Sequence, residues 1–422
     1  MAATDIVITG AGVVSALGNT PEDLWSALLA SQTGIRPVDG FPEGSSPLAA
    51  AQVSGIDPAE LGIPRRDARI MGRHSGMLIK SSRDAYLRAG LDSRSVPAEE
   101  TAFFAGMGMV DYRMDDLMPA LLRSLNQDGS IDYDRFYSTG YQEIFPLWPL
   151  SMLNNISFCQ AAINLDIRGE NTVFSPHADS GAQAIAEGAR TVSEGRAAAV
   201  LAGGVSEVVS PLSIARAGIF GLLGEPGKGS MTCRPFGEDR SGSVLGEGCG
   251  IVCLETRSSA EARGAAFSTM FMGYGNSCGK ETGAACPSVD AIVQAMEQAL
   301  DSAELNPADI GLIIAHGDGT LQGDRNEAEA LRRVFQAGLP VYASKAALGN
   351  CLAAGPAIDI VLGSYMIAQG MIPAVFGLDT PSGSLGLRVV TQGPLRARPG
   401  KVLINAFSYE GQCTSLIIGA AD

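Results

Sequence analysis

Residues 233–255 have the sequence CRPFGEDRSGSVLGEGCGIVCLE, which ends in the apolar run Gly250–Leu254. This run is typical of a buried strand. Short apolar runs of the same kind recur along the chain, and stretches with apolar residues three and four apart, typical of helices, lie among them. The predicted strands are Asp5–Thr9, Thr101–Ala105, Ala198–Ala202, Gly250–Leu254, Gly311–Ala315, Val341–Ser344 and Val402–Ala406. The predicted helices are Pro21–Ala30, Ser75–Ala89, Gly181–Ser193, Ser288–Leu300, Arg325–Val334 and Ala354–Ile367. Such alternation predicts an α/β protein with covered sheets.

The composition excludes several classes of function. The 422 residues include 30 Lys and Arg but 45 Asp and Glu, so the net charge is −15. A nucleic acid or an anionic membrane surface would require a basic patch. The densest basic stretch, Arg65, Arg66, Arg69 and Arg73, is interrupted by Asp67 and by apolar residues. We therefore expect neither nucleic acid nor membrane as a partner.

The sequence shows no targeting segment and no cysteine framework. The start, MAATDIVITG, lacks a secretory signal, and no run of 18 apolar residues predicts a membrane span. None of the eight cysteines forms a CxxC pair, and there are only three histidines. We expect reduced thiols in a cytoplasmic protein and no metal site.

The glycines that follow the first strand permit two interpretations. The segment Gly10–Ser15 (GAGVVS) resembles the start of a dinucleotide-binding motif, but its third glycine is missing. The other interpretation, which we favour, is a tight turn from strand to loop.

Four ordered segments carry a resemblance to a known family. They are VITGAGVVSALG (7–18), the stretch 233–255, AHGDGT…DRNEAEAL (315–331) and SKAALGNCLAAGPAID (344–359). Together they resemble the β-ketoacyl-acyl-carrier-protein synthases of the thiolase superfamily, from about residue 5 to residue 419. The resemblance implies a dimeric thiolase-like fold, in which two pseudo-duplicated halves form a five-layer αβαβα sandwich. We place the halves at residues 1–257 and 258–422, because the apolar run before residue 255 gives way to the polar segment TRSSAEARG (256–264).

The most important departure from the family lies in the stretch 169–189. Condensing members carry a cysteine nucleophile at the start of a buried helix, where the dipole favours the thiolate. Here that position is Ala178, whose methyl group cannot attack a thioester. Ser175 and Ser180 lie nearby but have no evident general base. The resemblance therefore implies a chain that forms no acyl-enzyme.

The rest of the family's catalytic pattern is kept only in part. The first histidine is kept as His316 and the lysine as Lys345, whereas the second histidine is replaced by Asn350 and a threonine by Asp318. His316 and Asn350 could donate hydrogen bonds to an enolate, or His316 could be a structural remnant. We expect Lys345 to pair with an acid such as Glu327. Asp318 orients the ring of His316 or raises its pKa, or it is a solvated loop carboxylate.

The resemblance also places a glycine-rich gate and an acyl tunnel. The gate, usually GFGGTN, reads SYEGQC (408–413), and its two lost glycines should stiffen it. The methionine-rich stretch 106–122 is either core or tunnel wall. The candidate substrate-binding residues are Met109, Tyr112, Phe158, Phe407 and Tyr409. We also expect Phe158 and Gln160 to face a partner.

Departures at three separate sites indicate a naturally non-condensing chain rather than an engineered exchange. Such chains are known as chain-length factors of type II polyketide synthases, which pair with a catalytic ketosynthase and close the tunnel that holds the growing chain. This implies a heterodimer that works on an acyl carrier protein and needs no cofactor beyond the carrier's phosphopantetheine. The alternatives are a malonyl-carrier decarboxylase that uses His316 and Asn350 to supply acetyl starter units, or a scaffold without a partner.

Overall fold

A large mixed sheet of eleven strands organises the chain in the computed structural model, which describes residues 5–38, 48–68, 70–92, 94–108, 110–111, 114–175 and 178–421. The strands are β1 (Ile6–Ser15), β2 (Ile35–Pro37), β3 (Ala49–Ala51), β4 (Thr101–Met107), β5 (Asn171–Phe174), β6 (Ala199–Ser206), β7 (Gly248–Thr256), β8 (Thr269–Cys278), β9 (Leu312–Ile314), β10 (Pro340–Tyr342), β11 (Met371–Ile372), β12 (Arg388–Val389), β13 (Leu395–Arg396), β14 (Lys401–Phe407) and β15 (Gln412–Ala420).

The α-helices lie mainly between these strands. They are α1 (Pro21–Leu29), α2 (Arg65–Ala68), α3 (Arg73–Arg88), α4 (Met114–Arg123), α5 (Tyr133–Ser138), α6 (Asn154–Leu165), α7 (Ser180–Ser193), α8 (Pro211–Ile219), α9 (Arg257–Ala262), α10 (Val289–Ser302), α11 (Leu321–Val334), α12 (Lys345–Leu348) and α13 (Gly355–Gln369). Short 3₁₀ turns are Ala98–Glu100, Gly140–Glu143, Trp148–Met152, Gly229–Met231, Pro307–Asp309, Leu352–Ala354 and Gly383–Leu385.

Every strand and helix predicted from hydrophobic periodicity is present. Several helices begin where the sequence supplies a cap: the side chains of Thr20, Ser288 and Thr320 each accept a hydrogen bond from a backbone N–H of the first turn. A proline directly follows the cap of α1. Local chemistry therefore fixes where these helices start.

The strand order reveals a duplicated architecture. The sheet runs β12-β10-β9-β14-β15-β8-β1-β7-β6-β4-β5. From β1 outward the order is β1, β7, β6, β4, β5, and from β8 outward it is β8, β15, β14, β9, β10, with the same pattern of antiparallel and parallel pairs. The two halves meet where β1 pairs with β8, at Ile6–Ile8. The predicted pseudo-duplication is confirmed.

Helices complete the five layers. α3 packs on the outer face of β1, β6 and β7, and α10 packs on the outer face of β8 and β15. α7 and α13 contact each other and strands of both halves, so they form the middle layer. Both are buried almost all round, as a middle layer requires. The predicted αβαβα sandwich is confirmed, whereas the division at residue 257 stays a prediction.

The glycines after the first strand serve packing rather than a turn. β1 continues through Gly10 and Gly12 to Ser15, with a register shift after Ile8. A Cβ atom at Gly10 or Gly12 would overlap backbone atoms of α3. The prediction of a strand-to-loop turn at this point is wrong, because these glycines let α3 lie directly on a continuing strand.

One helical segment is long and apolar enough to cross a membrane by length and composition. It spans Leu352–Gln369, with a mean hydropathy of 1.3. In the fold 61% of this segment is buried between the sheets. Core helices of this composition are expected in a middle layer.

Candidate functional site

Ala178 occupies the position from which a nucleophile would act. It lies just before α7, whose N-cap residue is Asp179, and only 6% of its surface is exposed. The Asp179 carboxylate accepts hydrogen bonds from Gln183 at 2.6 Å and from the Thr414 hydroxyl at 3.0 Å, which anchors the start of the helix to β15. The helix dipole points at this spot, but a methyl group offers nothing for it to activate.

Ala178 lines a small cavity together with most of the predicted site residues. The cavity has a volume of about 60 Å³. Its wall includes Ala178, His316, Asp318, Asn350, Phe407 and Tyr409. The fold therefore brings together residues that lie more than 200 positions apart in sequence.

His316 is held as a neutral imidazole. Its Nδ1 accepts a hydrogen bond of 3.1 Å from the backbone N–H of Phe407, and the Phe407 ring lies beside it at 5.1 Å between centroids. Burial, together with the charge of Lys345, lowers the pKa of His316 well below its usual value. Because Nδ1 is an acceptor, the proton is on Nε2, which leaves one N–H donor.

The loop that carries His316 rests on a buried carboxylate. Glu327 accepts hydrogen bonds of 2.8 Å from the backbone N–H groups of His316 and Gly317, and one of 3.0 Å from the Asn405 amide. Lys345 does not form the predicted pair with Glu327; among the described atoms it donates to the carbonyl oxygen of His316 and lies 3.4 Å from Nδ1. The backbone donors leave Glu327 satisfied, so the prediction was wrong.

Asp318 differs from both predictions made for it. Its side chain is buried rather than solvated. It does not raise the pKa of His316, which is lowered by burial and by the charge of Lys345. One oxygen, Oδ1, accepts hydrogen bonds from the backbone N–H and the hydroxyl of Thr320, at 2.9 and 2.7 Å. The other, Oδ2, lies 3.9 Å from Nε2 of His316, which is too far to orient the ring.

Asn350 faces the cavity from a rigid backbone. Its N–H donates to the carbonyl of Val244 at 2.6 Å, and its carbonyl accepts from Gly246 at 3.0 Å. The side-chain oxygen accepts a hydrogen bond of 3.1 Å from the N–H of Leu352. This bond assigns the amide orientation and leaves Nδ2 as the donor available to the cavity.

The segment 408–413 forms a tight turn between β14 and β15. The N–H of Ser408 donates to Gln412 at 2.9 Å, and the N–H of Gly411 donates to Ser408 at 3.0 Å. Gly411 has a φ of +106°, which explains why a glycine is kept there. The Tyr409 ring packs against Phe220 at 4.9 Å between centroids and covers the cavity.

Sequence analysis missed the part of the wall that α8 supplies. Ser213, Arg216 and Phe220 line the cavity, and Asp111 holds the first two, accepting from the Ser213 hydroxyl at 2.5 Å and from Arg216 at 3.3 Å. The only local signal is Ser210 followed by Pro211, the start of α8. Nothing in the sequence indicates which face of α8 meets the site.

The remaining predicted residues lie elsewhere. Phe158 is buried and stacks on Phe103 at 4.4 Å between centroids, so the expectation that it faces a partner is wrong: the core takes this ring. Gln160 is half-buried. Met109 and Tyr112 lie outside the described residues.

The two serines near Ala178 do not replace a nucleophile in this arrangement. Ser175 is exposed and accepts a hydrogen bond from Asn154 at 2.8 Å. The Ser180 hydroxyl is buried without a hydrogen-bond partner among the described residues. Within the same part of the chain, no group of three or more His, Cys, Asp and Glu side chains is arranged to hold a metal ion.

Two family models account for most of the chain. The β-ketoacyl synthase N-terminal domain matches residues 3–260, and the β-ketoacyl synthase C-terminal domain matches residues 269–379. The chain belongs to the β-ketoacyl synthase family. The resemblance seen in the four sequence segments is thus confirmed.

Individual β-ketoacyl synthases extend the likeness over the full length. The 3-oxoacyl-[acyl-carrier-protein] synthase 2 of Coxiella burnetii is 28% identical and that of Vibrio cholerae 29% identical, each with 98% of both chains covered. The solved ishigamide ketosynthase/chain length factor is 27% identical, with a TM-score of 0.87 and full coverage of both chains. This β-ketoacyl synthase family member is therefore similar both to 3-oxoacyl synthases and to a ketosynthase/chain length factor.

Proposed function

We propose that this chain is a non-condensing, chain-length-factor-like subunit that pairs with a catalytic ketosynthase. The observation that carries the proposal is Ala178 at the start of α7, on the wall of the cavity that His316 and Asn350 share. Condensation needs a nucleophile to hold the growing acyl chain, and a methyl group cannot supply one. The family core is kept, but the step that defines a condensing enzyme is lost.

The size of the cavity supports the same proposal. About 60 Å³ holds a few water molecules, whereas ligand pockets usually measure about 300–1,000 Å³. A long acyl chain does not fit inside this cavity. The chain would instead grow in a tunnel of the ketosynthase, which this subunit closes from across the interface.

Two surface features support a protein partner. β5 is the last strand of the sheet and pairs only with β4 among the described strands, so its other edge is free to pair. The neighbouring helix α6 exposes Ile163 at 71%, and Leu153 just before this helix is exposed as well. Large apolar side chains exposed near a free strand edge favour an interaction surface. We assign it to the ketosynthase, over an interface above about 2,000 Å² as in obligate pairs.

The carrier protein completes the assembly. Acyl carrier proteins are acidic, and this chain has a net charge of −15, which favours docking of the carrier mainly on the ketosynthase. The carrier's phosphopantetheine would bring the only prosthetic group that the chemistry needs. We also propose that the assembly works in the cytoplasm.

A reconstitution tests this function. The chain, a catalytic ketosynthase and both together are each incubated with malonyl-carrier protein, and the products are read by intact-protein mass spectrometry. We expect no ketoacyl product from this chain alone and defined chain lengths only from the pair. A ketoacyl product made by the chain alone would refute the proposal.

A second function has one observation in its favour. The cavity offers two hydrogen-bond donors, Nε2 of His316 and Nδ2 of Asn350, that could hold the enolate of a decarboxylating malonyl group. A malonyl-carrier decarboxylase would release CO2 unaided, and His316→Ala would abolish that release. A chain-length factor would form no acetyl-carrier in either sample.

A further inference from the structure

Asp318 places a fixed carboxylate near Nε2 of His316, a hydrogen-bond donor of the cavity. Its Oδ2 lies 3.9 Å from Nε2 of His316, while both hydrogen bonds from Thr320 hold Oδ1. The carboxylate is 7% exposed and lines the cavity. It therefore cannot swing into solvent without breaking both bonds to Thr320.

Among the described residues, no lysine or arginine forms an ion pair with this carboxylate. Lys345 lies on the Nδ1 side of His316 and donates to its backbone carbonyl, and Arg216 is paired with Asp111. Neighbouring groups respond to the negative charge: burial and then Asp318 raise the pKa of Cys233 to about 12, and the same two causes raise the pKa of Asp324. Asp318 thus sets the local charge next to Nε2.

Decarboxylation would have to develop negative charge at this place. The bond between the methylene carbon and the carboxylate breaks, CO2 leaves, and the electron pair moves to the thioester oxygen, which becomes an enolate held by His316 and Asn350. A proton from water then converts the enolate carbon to the methyl group of an acetyl thioester. In a buried site a fixed like charge a few ångströms away opposes both the incoming malonyl carboxylate and the enolate.

We propose that Asp318 is a specificity determinant that keeps this cavity from binding and decarboxylating malonyl thioesters. The inference rests on the proposed non-condensing function and deepens it. The chain is then silent for two reasons: Ala178 removes the nucleophile, and Asp318 removes the decarboxylation that His316 and Asn350 could otherwise support.

The test compares Asp318→Asn with the unchanged full-length chain on malonyl-pantetheine, with acetyl-pantetheine formation followed by mass spectrometry. Asparagine keeps the oxygen that accepts from Thr320 and removes only the charge. We expect an increase in kcat/KM of at least about tenfold, carried by both a lower KM and a higher kcat. Glu297→Gln, which removes an exposed charge on α10, is the matched control and should change nothing.

Two further variants keep the outcome decisive. Asp318→Thr, which also removes the charge, serves if the asparagine variant does not fold, and the double variant Asp318→Asn/His316→Ala should lose the gained activity. Equal rates for the aspartate and both uncharged variants would overturn the inference, and so would a gain that survives loss of His316. Neither result bears on chain-length control, which the paired reconstitution measures separately.

Discussion

The backbone N–H of Phe407 donates a 3.1 Å hydrogen bond to Nδ1 of His316. Phe407 ends β14, and the turn that follows it covers the cavity with Tyr409. One hydrogen bond therefore fixes the tautomer of the site histidine and ties it to the turn above the site.

This bond predicts that His316 stays neutral, with its proton on Nε2. Because burial lowers its pKa, the ring should not titrate between pH 8 and pH 6, whereas an ordinary histidine gains a proton near pH 6.5. Nitrogen-15 NMR of histidine-labelled protein would show one Nε2–H imidazole that does not change over this range. In the unfolded chain His316 gains its second proton near pH 6.5, whereas in the fold it stays neutral. The free energy of unfolding therefore falls as the pH drops below about 6.5. A change in the His316 nitrogen chemical shifts with a midpoint near pH 6.5 would contradict the assignment.

Ala178→Cys should create a reactive thiol but no condensing enzyme. The introduced side chain would lie at the start of α7, where the helix dipole lowers a thiol pKa. Burial raises the pKa of Cys249 and Cys351 to about 12, so these are internal references. We expect alkylation by iodoacetamide at least about tenfold faster at position 178, measured by timed peptide mass spectrometry. Asn350 cannot transfer a proton, so ketoacyl product should still be absent. Equal alkylation at all three positions would contradict this view of the helix start.

Gly181→Ala should destabilise the middle layer. A Cβ atom on Gly181 would overlap the carbonyl oxygen of Ala353, and neither backbone can move freely because α7 and the turn Leu352–Ala354 pack on each other and on β6. We expect a loss of about 2–4 kcal/mol in the free energy of unfolding, measured by urea denaturation. Gly383→Ala is the matched control, since a Cβ there meets nothing within 4 Å. Similar losses in both variants would show that the contact is not the cause.

Glu247→Gln should change how stability depends on pH. The Glu247 side chain is fully buried and pairs with Arg73 at 2.9 Å, and burial raises its pKa to about 7. The folded chain holds a proton that the unfolded chain releases near pH 4.5, so the stability from this group is complete below pH 4.5 and is lost as the pH rises through 7.

The amide variant has no such titration. The difference in unfolding free energy, variant minus wild type, should therefore rise between pH 5 and pH 7 by up to about 1.4 kcal/mol per pH unit. Urea denaturation at several pH values measures it, with the exposed Glu297→Gln as control. A difference that is constant with pH would mean that Glu247 is ionised throughout.

Ile163→Asp should weaken binding to the proposed ketosynthase partner. Ile163 is 71% exposed on α6, beside the free edge of β5, and a charge there would have to be buried in the complex. We expect the Kd to rise at least about tenfold in a titration followed by analytical ultracentrifugation. Ile219→Asp offers a matched control, because Ile219 is 84% exposed at the end of a different helix, α8. Equal effects of both changes would remove α6 from the interface.

Much of the fold follows from periodicity. Apolar runs such as Gly250–Leu254 are typical of covered strands, and capping residues such as Ser288 mark helix starts. The strand order does not follow from such patterns, because pairing of β1 with β7 joins segments about 240 residues apart. The duplication became predictable only through the resemblance to a family.

The site was predictable where the family pattern reaches and not beyond it. Ala178, His316 and Asn350 do meet at one cavity, as the motifs implied. Lys345 and Asp318 were assigned wrong partners, since side-chain contacts depend on how loops cross in space. Arg216 was missed for the same reason: its helix reaches the cavity only through tertiary packing, and it carries no motif.

The repeated strand order has a consequence for the ancestry of such subunits. His316, Asp318 and Asn350 reach the cavity from the second half, while the first half contributes the methyl group of Ala178 together with Ser213 and Arg216. A gene copy could therefore abandon catalysis by exchanging a few residues at the cavity, in both repeats, without disturbing any packed layer. A protein that shapes a reaction instead of performing it lies a short mutational path from the enzyme it resembles.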